Sequence, residues 1–234
     1  MKDGYKVKIC GITNLEDIQT AAREGADYFG AVIEAGFSAR SLTVEAAVPL
    51  FSAPPLPAVA LVYQMPENRL REMIQRLQPF AVQFLSQDDP ECIRRLKQDF
   101  PAVQIWQSIH LPAAGSEFDL ESIKTQVKEY LRAGVDVLLY DTVATIAGKQ
   151  KFGGTGLVSD WTAVKQLMAE MPVNIPVFLA GGINPQNVTE ALSAIDPYGV
   201  DLCSGVEATV GKKDPQKVRD LMMKVREFKS YNPD

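Results

Sequence analysis

The sequence predicts a single (β/α)8 TIM barrel over residues 1–234, and three observations carry that expectation. Short β-branched runs recur along the chain, each followed by an amphipathic helical pattern, and eight such pairs can be counted. The runs are apolar along most of their length, as parallel strands covered by helices must be. The turn after the first run reads C-G-I-T-N-L, without the G-x-G-x-x-G that opens a doubly wound dinucleotide-binding sheet. Closure uses all eight runs and leaves no edge strand, and 234 residues suit one such domain.

The first run, KVKICG (6–11), precedes a helix over residues 14–24, with Asn14 as N-cap and Gly25 as terminator. YFGAVI (28–33) precedes TVEAAVPLF. PAVALVY (57–63) precedes PENRLREMIQRLQ, whose leading proline suits the first turn of a helix. FAVQFL (80–85) leads to DPECIRRLKQDF, and VQIWQSIHL (103–111) to FDLESIKTQVKEYLRAG. VDVLLYDT (135–142) is followed by a long glycine-rich loop and WTAVKQLMAEM. PVFLAGG (176–182) leads to NPQNVTEALSAI, and GVDLCSGVE (199–207) to a terminal helix from residue 214.

Composition narrows the function. A net charge of −5 argues against a nucleic-acid partner, whose phosphates demand a basic surface. No stretch approaches 18 consecutive apolar residues, and MKDGYKVKICG lacks the pattern of a signal peptide. A cytoplasmic protein without membrane contact is expected. The three cysteines, Cys10, Cys92 and Cys203, are too few and too scattered for a disulfide framework or zinc cluster, so all three should be free thiols. His110 is the one histidine, which leaves little room for a Ser/His/Asp triad or a histidine-rich metal centre. No metal is expected.

In a parallel barrel the C-terminal strand ends open on one face, where residues distant in sequence converge. The residues so placed are Cys10, the 34–40 loop, Ser86, Gln87, Ser108, His110, Asp141, Gly181, Gly182 and the stretch from Ser204 to Glu207. AGGINPQN puts two glycines between a strand and a helix expected to begin at Asn184, so bare backbone N–H groups can approach an anion. CSGVEATVGKKDP repeats the arrangement one unit later, and the loops after strands seven and eight are where such barrels commonly hold phosphate. Each glycine cluster by itself is equally a tight turn.

Cys10 and Asp141 form the candidate reactive pair. A thiolate can take a proton from carbon and a carboxylic acid can deliver one, the minimum for a cofactor-free isomerisation. A thiol in that role needs a nearby positive potential or a helix N-terminus, and Cys10 taken alone reads more simply as a small core hydrophobe. A carboxylate ending the apolar run VLLY is costly unless partnered or functional, with capping of the following loop as the structural alternative. Arg40 is either a solvated guanidinium or a bidentate grip for a substrate carboxylate at the barrel mouth. The loop AGKQKFGGTG (147–156) is either a surface connection or a lid. His110 receives no role, and Cys92 and Cys203 are most simply packing residues.

KICGIT, SAR before the second helix, YDT…GGTGLVSDW, LAGGINPQNV and PYGVDLCSGVEATVGKKDPQKV together resemble the phosphoribosylanthranilate isomerase family of tryptophan biosynthesis over essentially the whole chain. The resemblance implies a barrel that converts N-(5-phosphoribosyl)anthranilate to 1-(2-carboxyphenylamino)-1-deoxyribulose 5-phosphate by an Amadori rearrangement. It implies Cys10 as general base at C2, Asp141 as general acid at the ring oxygen, and Arg40 on the anthranilate carboxylate. Gly181, Gly182, Ser204 and Gly205 would fall in the phosphate loops, with no metal or organic cofactor. The partner implied is a small phosphorylated sugar, and monomer and homodimer are both open.

Two loops depart from the family pattern. After the fourth strand the chain reads VQFLSQ, with Leu85 where histidine is usual, and IEAGFSAR keeps Ser38 and Arg40 but loses two prolines and gains Glu34. These changes touch the aromatic end of the substrate site. An isomerase or epimerase of another sugar phosphate, and a non-catalytic barrel that binds a phosphorylated metabolite, are therefore the competing readings.

Overall fold

A computed structural model describes residues 4–112, 119–146, 149–152, 161–170, 172 and 174–231. Its strands are β1 (Lys6–Ile9), β2 (Tyr28–Ile33), β3 (Ala58–Val62), β4 (Ala81–Phe84), β5 (Gln104–Pro112), β6 (Val137–Ile146), β7 (Val177–Leu179) and β8 (Gly199–Leu202). Each pairs in parallel with the next, and β1 pairs with both β2 and β8. The sheet closes. Helices α1 (Leu15–Arg23), α2 (Val44–Phe51), α3 (Glu67–Leu77), α4 (Pro90–Asp99), α5 (Leu120–Ala133), α6 (Trp161–Ala169), α7 (Val188–Ile195) and α8 (Pro215–Tyr231) follow the strands in turn.

The two-residue period of the strands divides the apolar side chains between two cores. Residues facing outward, such as Val7, Ile9, Phe29, Ile33, Leu138 and Leu179, pack under the helices. Those facing inward, such as Val59, Leu61, Ala81, Trp106, Leu139 and Phe178, fill the barrel. Rings close its N-terminal end: Trp106 stacks on Phe178 at 5.2 Å, and Tyr28 meets Trp106 edge-on at 5.2 Å. With that end plugged by aromatic rings, the C-terminal strand ends are where a ligand can enter.

Capping follows the sequence closely. Asn14, Thr43 and Asp119 each accept a hydrogen bond from the backbone three residues on, worth about 1 kcal/mol per cap. Two expectations are corrected. Pro66 lies at the N-cap of α3 rather than inside it, while Pro90 occupies the first turn of α4. Helix α7 begins at Val188, not at Asn184, because the Asn184 side chain accepts from the N–H groups of Gln186 and Asn187 and folds that stretch as a turn.

The segment Lys149–Phe152 pairs antiparallel with the end of β6. The remainder of the expected 147–156 lid lies outside the described residues. Among the described residues no helix is long and apolar enough to cross a membrane.

Candidate active site

The inner face of β1 presents Lys8, which lies in register with Asp201 of β8. Their charged atoms meet at 2.7 Å, with the side chains 0% and 8% exposed. Burial alone would lower the ammonium's pKa, but the Asp201 carboxylate outweighs it and the net shift is upward. Lys8 is therefore a fixed cation inside the barrel, close enough to Cys10 for the two groups to shift one another's pKa. Gly30 makes the room: a methyl group there would sit 3.0 Å from Lys8 Cε and 3.2 Å from Cys10 Sγ.

Cys10 follows β1 directly, its N–H donating to the Leu202 carbonyl at 2.7 Å. The neighbouring Cys203 thiol together with burial pushes the Cys10 pKa up against the pull of Lys8. Cys203 moves down, through its proximity to Cys10 and the charges of Lys213 and Arg40. Of the two thiols, Cys203 is the more acidic. The positive potential required for a thiolate is present, but it acts on a pair of thiols rather than on Cys10 alone.

Asp141 stands on β6 across the barrel, its Oδ1 accepting from the Thr142 N–H at 2.7 Å. Burial raises its pKa, the charge of His110 opposes the shift and Asp201 adds to it. An Asp whose pKa is raised in the fold supports stability below its unfolded value near 3.9, and that support fades as pH rises through the folded value. Asp141→Asn should therefore unfold at a higher temperature than the parent at pH 7. The gap should close toward pH 4 in paired thermal melts, and a gap that does not narrow would contradict the raised pKa.

Two loops form a glycine seam at the mouth. Gly181 and Gly182 have φ of 80° and 68°, a region that favours glycine, and a methyl group on Gly181 would sit 2.2 Å from Thr142 Oγ1. A methyl group on Gly205 would lie 2.1 Å from the Ile183 carbonyl oxygen, so the two loops abut through bare backbone. Within the described residues the N–H groups of Gly182, Ser204 and Gly205 have no hydrogen-bond partner. That is what an anion cradle requires.

Arg40 reaches the same mouth. Its Nε and Nη2 donate to the two carboxylate oxygens of Glu207 at 2.7 and 2.6 Å, a fork that fixes the guanidinium plane. Burial works against the Glu207 charge, but Arg40 and Lys213 hold its pKa below the ordinary range. Nη1 of Arg40 has no partner among the described residues.

Cys10, Arg40, Asp141, Gly181, Gly182, Ser204 and Gly205 all line one cavity. Phe37, Val32 and Leu85 give it an apolar wall. Glu34 is outside it: its carboxylate binds Arg69 at 2.6 and 3.0 Å and accepts from the Val44 N–H. Leu85 lines the cavity with its side chain, while its carbonyl meets His110 Nε2 at 2.6 Å. Sequence reasoning passed over Lys8 and Asp201, although a charge inside an apolar strand, the signal used for Asp141, is present in both KVKIC and VDL.

Residues 7–224 match the family model described as N-(5'phosphoribosyl)anthranilate (PRA) isomerase. The chain belongs to the phosphoribosylanthranilate isomerase family. It is 34% identical over 223 residues to the N-(5'-phosphoribosyl)anthranilate isomerase of Methanocella arvoryzae, covering 94% of this chain and 98% of that one. With the Methanosarcina acetivorans isomerase it shares 37% over 227 residues, 94% and 93% of the two chains. Among solved structures, monomers generated from the dimeric phosphoribosylanthranilate isomerase of Thermotoga maritima superpose with a TM-score of 0.77 at 26% identity, over 95% of this chain and 99% of the other. The isomerase family thus accounts for the barrel, and the matched span of residues 7–224 includes both departing loops.

Proposed function

We propose that this chain isomerises N-(5'-phosphoribosyl)anthranilate to 1-(2-carboxyphenylamino)-1-deoxyribulose 5-phosphate. The observation that carries the reading is that Cys10, Arg40, Asp141 and the four residues of the two glycine loops border a single cavity. The phosphate binds the N–H groups of Gly182, Ser204 and Gly205, with Gly181 keeping the first loop close to the strand ends. The anthranilate carboxylate takes Nη1 of Arg40, and its ring lies against Phe37, Val32 and Leu85.

Asp141 donates its proton to the ribose ring oxygen as the bond from that oxygen to C1 breaks, and the anthranilate nitrogen lone pair forms the C=N bond. A carboxyl whose pKa burial has raised is suited to hold that proton. Cys10, as its thiolate, then takes the proton from C2, with the Lys8 ammonium beside it stabilising the thiolate charge. The resulting enol-amine tautomerises to the ketose. Electrons move only within the substrate, so the two proton carriers meet the chemical requirement without a metal or organic cofactor. Every residue assigned comes from one chain read as one domain, so the chemistry fits a monomer or a homodimer.

Adding the purified protein to phosphoribosylanthranilate and following the loss of its anthranilate-type fluorescence tests this reading. Catalysed decay supports it. Decay at the spontaneous rate, with turnover of a different sugar phosphate, overturns it.

Gly205→Ala probes the anion cradle. The added methyl group has no room beside the Ile183 carbonyl, so the phosphate loops must part. Loss of one or two backbone hydrogen bonds to a charged phosphate should raise KM by at least about tenfold, with a smaller change in kcat. Steady-state kinetics reads the split, and a change confined to kcat would contradict the cradle.

A further inference from the structure

We propose that Cys10 and Cys203 form an oxidation site, at which hydrogen peroxide joins the two sulfurs in a disulfide that a dithiol reduces again. Ile9 and Leu202 are register partners in the parallel β1–β8 ladder, and the Cys10 N–H donates to the Leu202 carbonyl, so the two cysteines are the next residues on adjacent strands. Adjacent strands lie about 4.8 Å apart, inside the Cα separation of about 4.4–6.8 Å that a disulfide spans. Each thiol is close enough to shift the other's pKa, Cys10 upward and Cys203 downward. Both line the cavity at the barrel mouth, so a peroxide reaches them by the route open to the substrate. Gly11 leaves space for the second sulfur, since a methyl group there would sit 2.6 Å from Cys203 Sγ.

The chemistry balances with the peroxide as two-electron oxidant. The thiolate of one cysteine attacks a peroxide oxygen; an S–O bond forms as the O–O bond breaks, giving a sulfenic acid and, after protonation, water. The second sulfur attacks the sulfenic sulfur; the S–S bond forms, the S–O bond breaks, and hydroxide leaves with the thiol's proton as a second water. Lys213 and Arg40 favour the thiolate on Cys203, which makes it the attacking group and Cys10 the resolving one. Cys92 on α4 is a built-in control: burial pushes its pKa up to about 11, and it does not line the cavity.

The catalytic consequence rests on the reading of Cys10 as the base, because a sulfur tied in a disulfide takes no proton from carbon. The whole chain is treated with hydrogen peroxide, denatured, alkylated with iodoacetamide and mapped by mass spectrometry, with turnover measured before and after dithiothreitol. Alkylatable thiols should fall from three to one. The Cys10 and Cys203 peptides should be joined, and turnover should fall at least tenfold and return on reduction. In Cys10→Ser the attacking Cys203 lacks its resolving partner, so the Cys203 peptide should accumulate the sulfinic acid, which dithiothreitol does not reverse. Three alkylatable thiols after treatment, or a bridge to Cys92, would overturn the oxidation site; the wild-type peptide map decides this even where the variant folds poorly. A Cys10–Cys203 bridge in fully active protein would support the site and overturn the base assignment instead.

Discussion

Cys10→Ser should lower kcat/KM for phosphoribosylanthranilate by about 10²–10⁴, the usual worth of a general acid or base, while leaving KM nearly unchanged. A serine hydroxyl nearly keeps the volume and stays beside Lys8 but is far too weak an acid to become the anion that takes the C2 proton. Asp141→Asn should show a loss of the same order, because the amide holds no transferable proton for the ring oxygen. Removing both groups should cost less than the product of the single losses, since ring opening and proton abstraction act in sequence on one substrate. Full activity in either single variant would contradict its assigned role. The thermal melts predicted for Asp141→Asn separate lost chemistry from lost structure, because that variant should be more stable than the parent at pH 7 and yet inactive.

The second large effect is on stability. Lys8→Met removes the cation from a buried ion pair and leaves the Asp201 carboxylate inside the barrel, where its Oδ1 already has no hydrogen-bond partner among the described residues. Breaking such a pair costs about 3–5 kcal/mol, which for a chain of this size lowers Tm by on the order of 10 °C. Replacing both partners, as Lys8→Met with Asp201→Leu, removes the uncompensated charge and should recover most of that loss. A double-mutant cycle of thermal or urea unfolding measures the difference. A double variant less stable than Lys8→Met alone would mean that the pair is net stabilising and that the barrel interior is more hydrated than its burial indicates. Both variants should also slow turnover, because the Lys8 ammonium is the cation beside the Cys10 sulfur.

The alternation of apolar runs with amphipathic patterns was enough to read the barrel from the sequence, since eight parallel strands with no edge have few other arrangements. Strand-end logic then placed Cys10, Asp141 and the glycine loops on one face, because position along a strand determines which end of the barrel a residue occupies. Side-chain partnership was not legible in this way. Nothing in the spacing of Arg40 and Glu207, 167 positions apart, says that the carboxylate takes the Nε–Nη2 edge of the guanidinium. Cys203 read as packing because its neighbour Cys10 lies on the strand that closes the barrel, a contact visible only once β1 meets β8. Glu34 read as a change in the substrate site because its backbone is at the mouth, yet Arg69 draws the side chain away from the cavity. Local propensity reports backbone course, whereas the long-range pairing of charges depends on closure.

A crystal structure of the chain with 1-(2-carboxyphenylamino)-1-deoxyribulose 5-phosphate tests the assignment of the cavity most directly. The expected density has the phosphate on the N–H groups of Gly182, Ser204 and Gly205, C2 within van der Waals reach of Cys10 Sγ, the former ring oxygen facing Asp141 and the carboxylate on Arg40. A ligand bound in the reverse sense, or one with C2 turned away from the Cys10 sulfur, would contradict it.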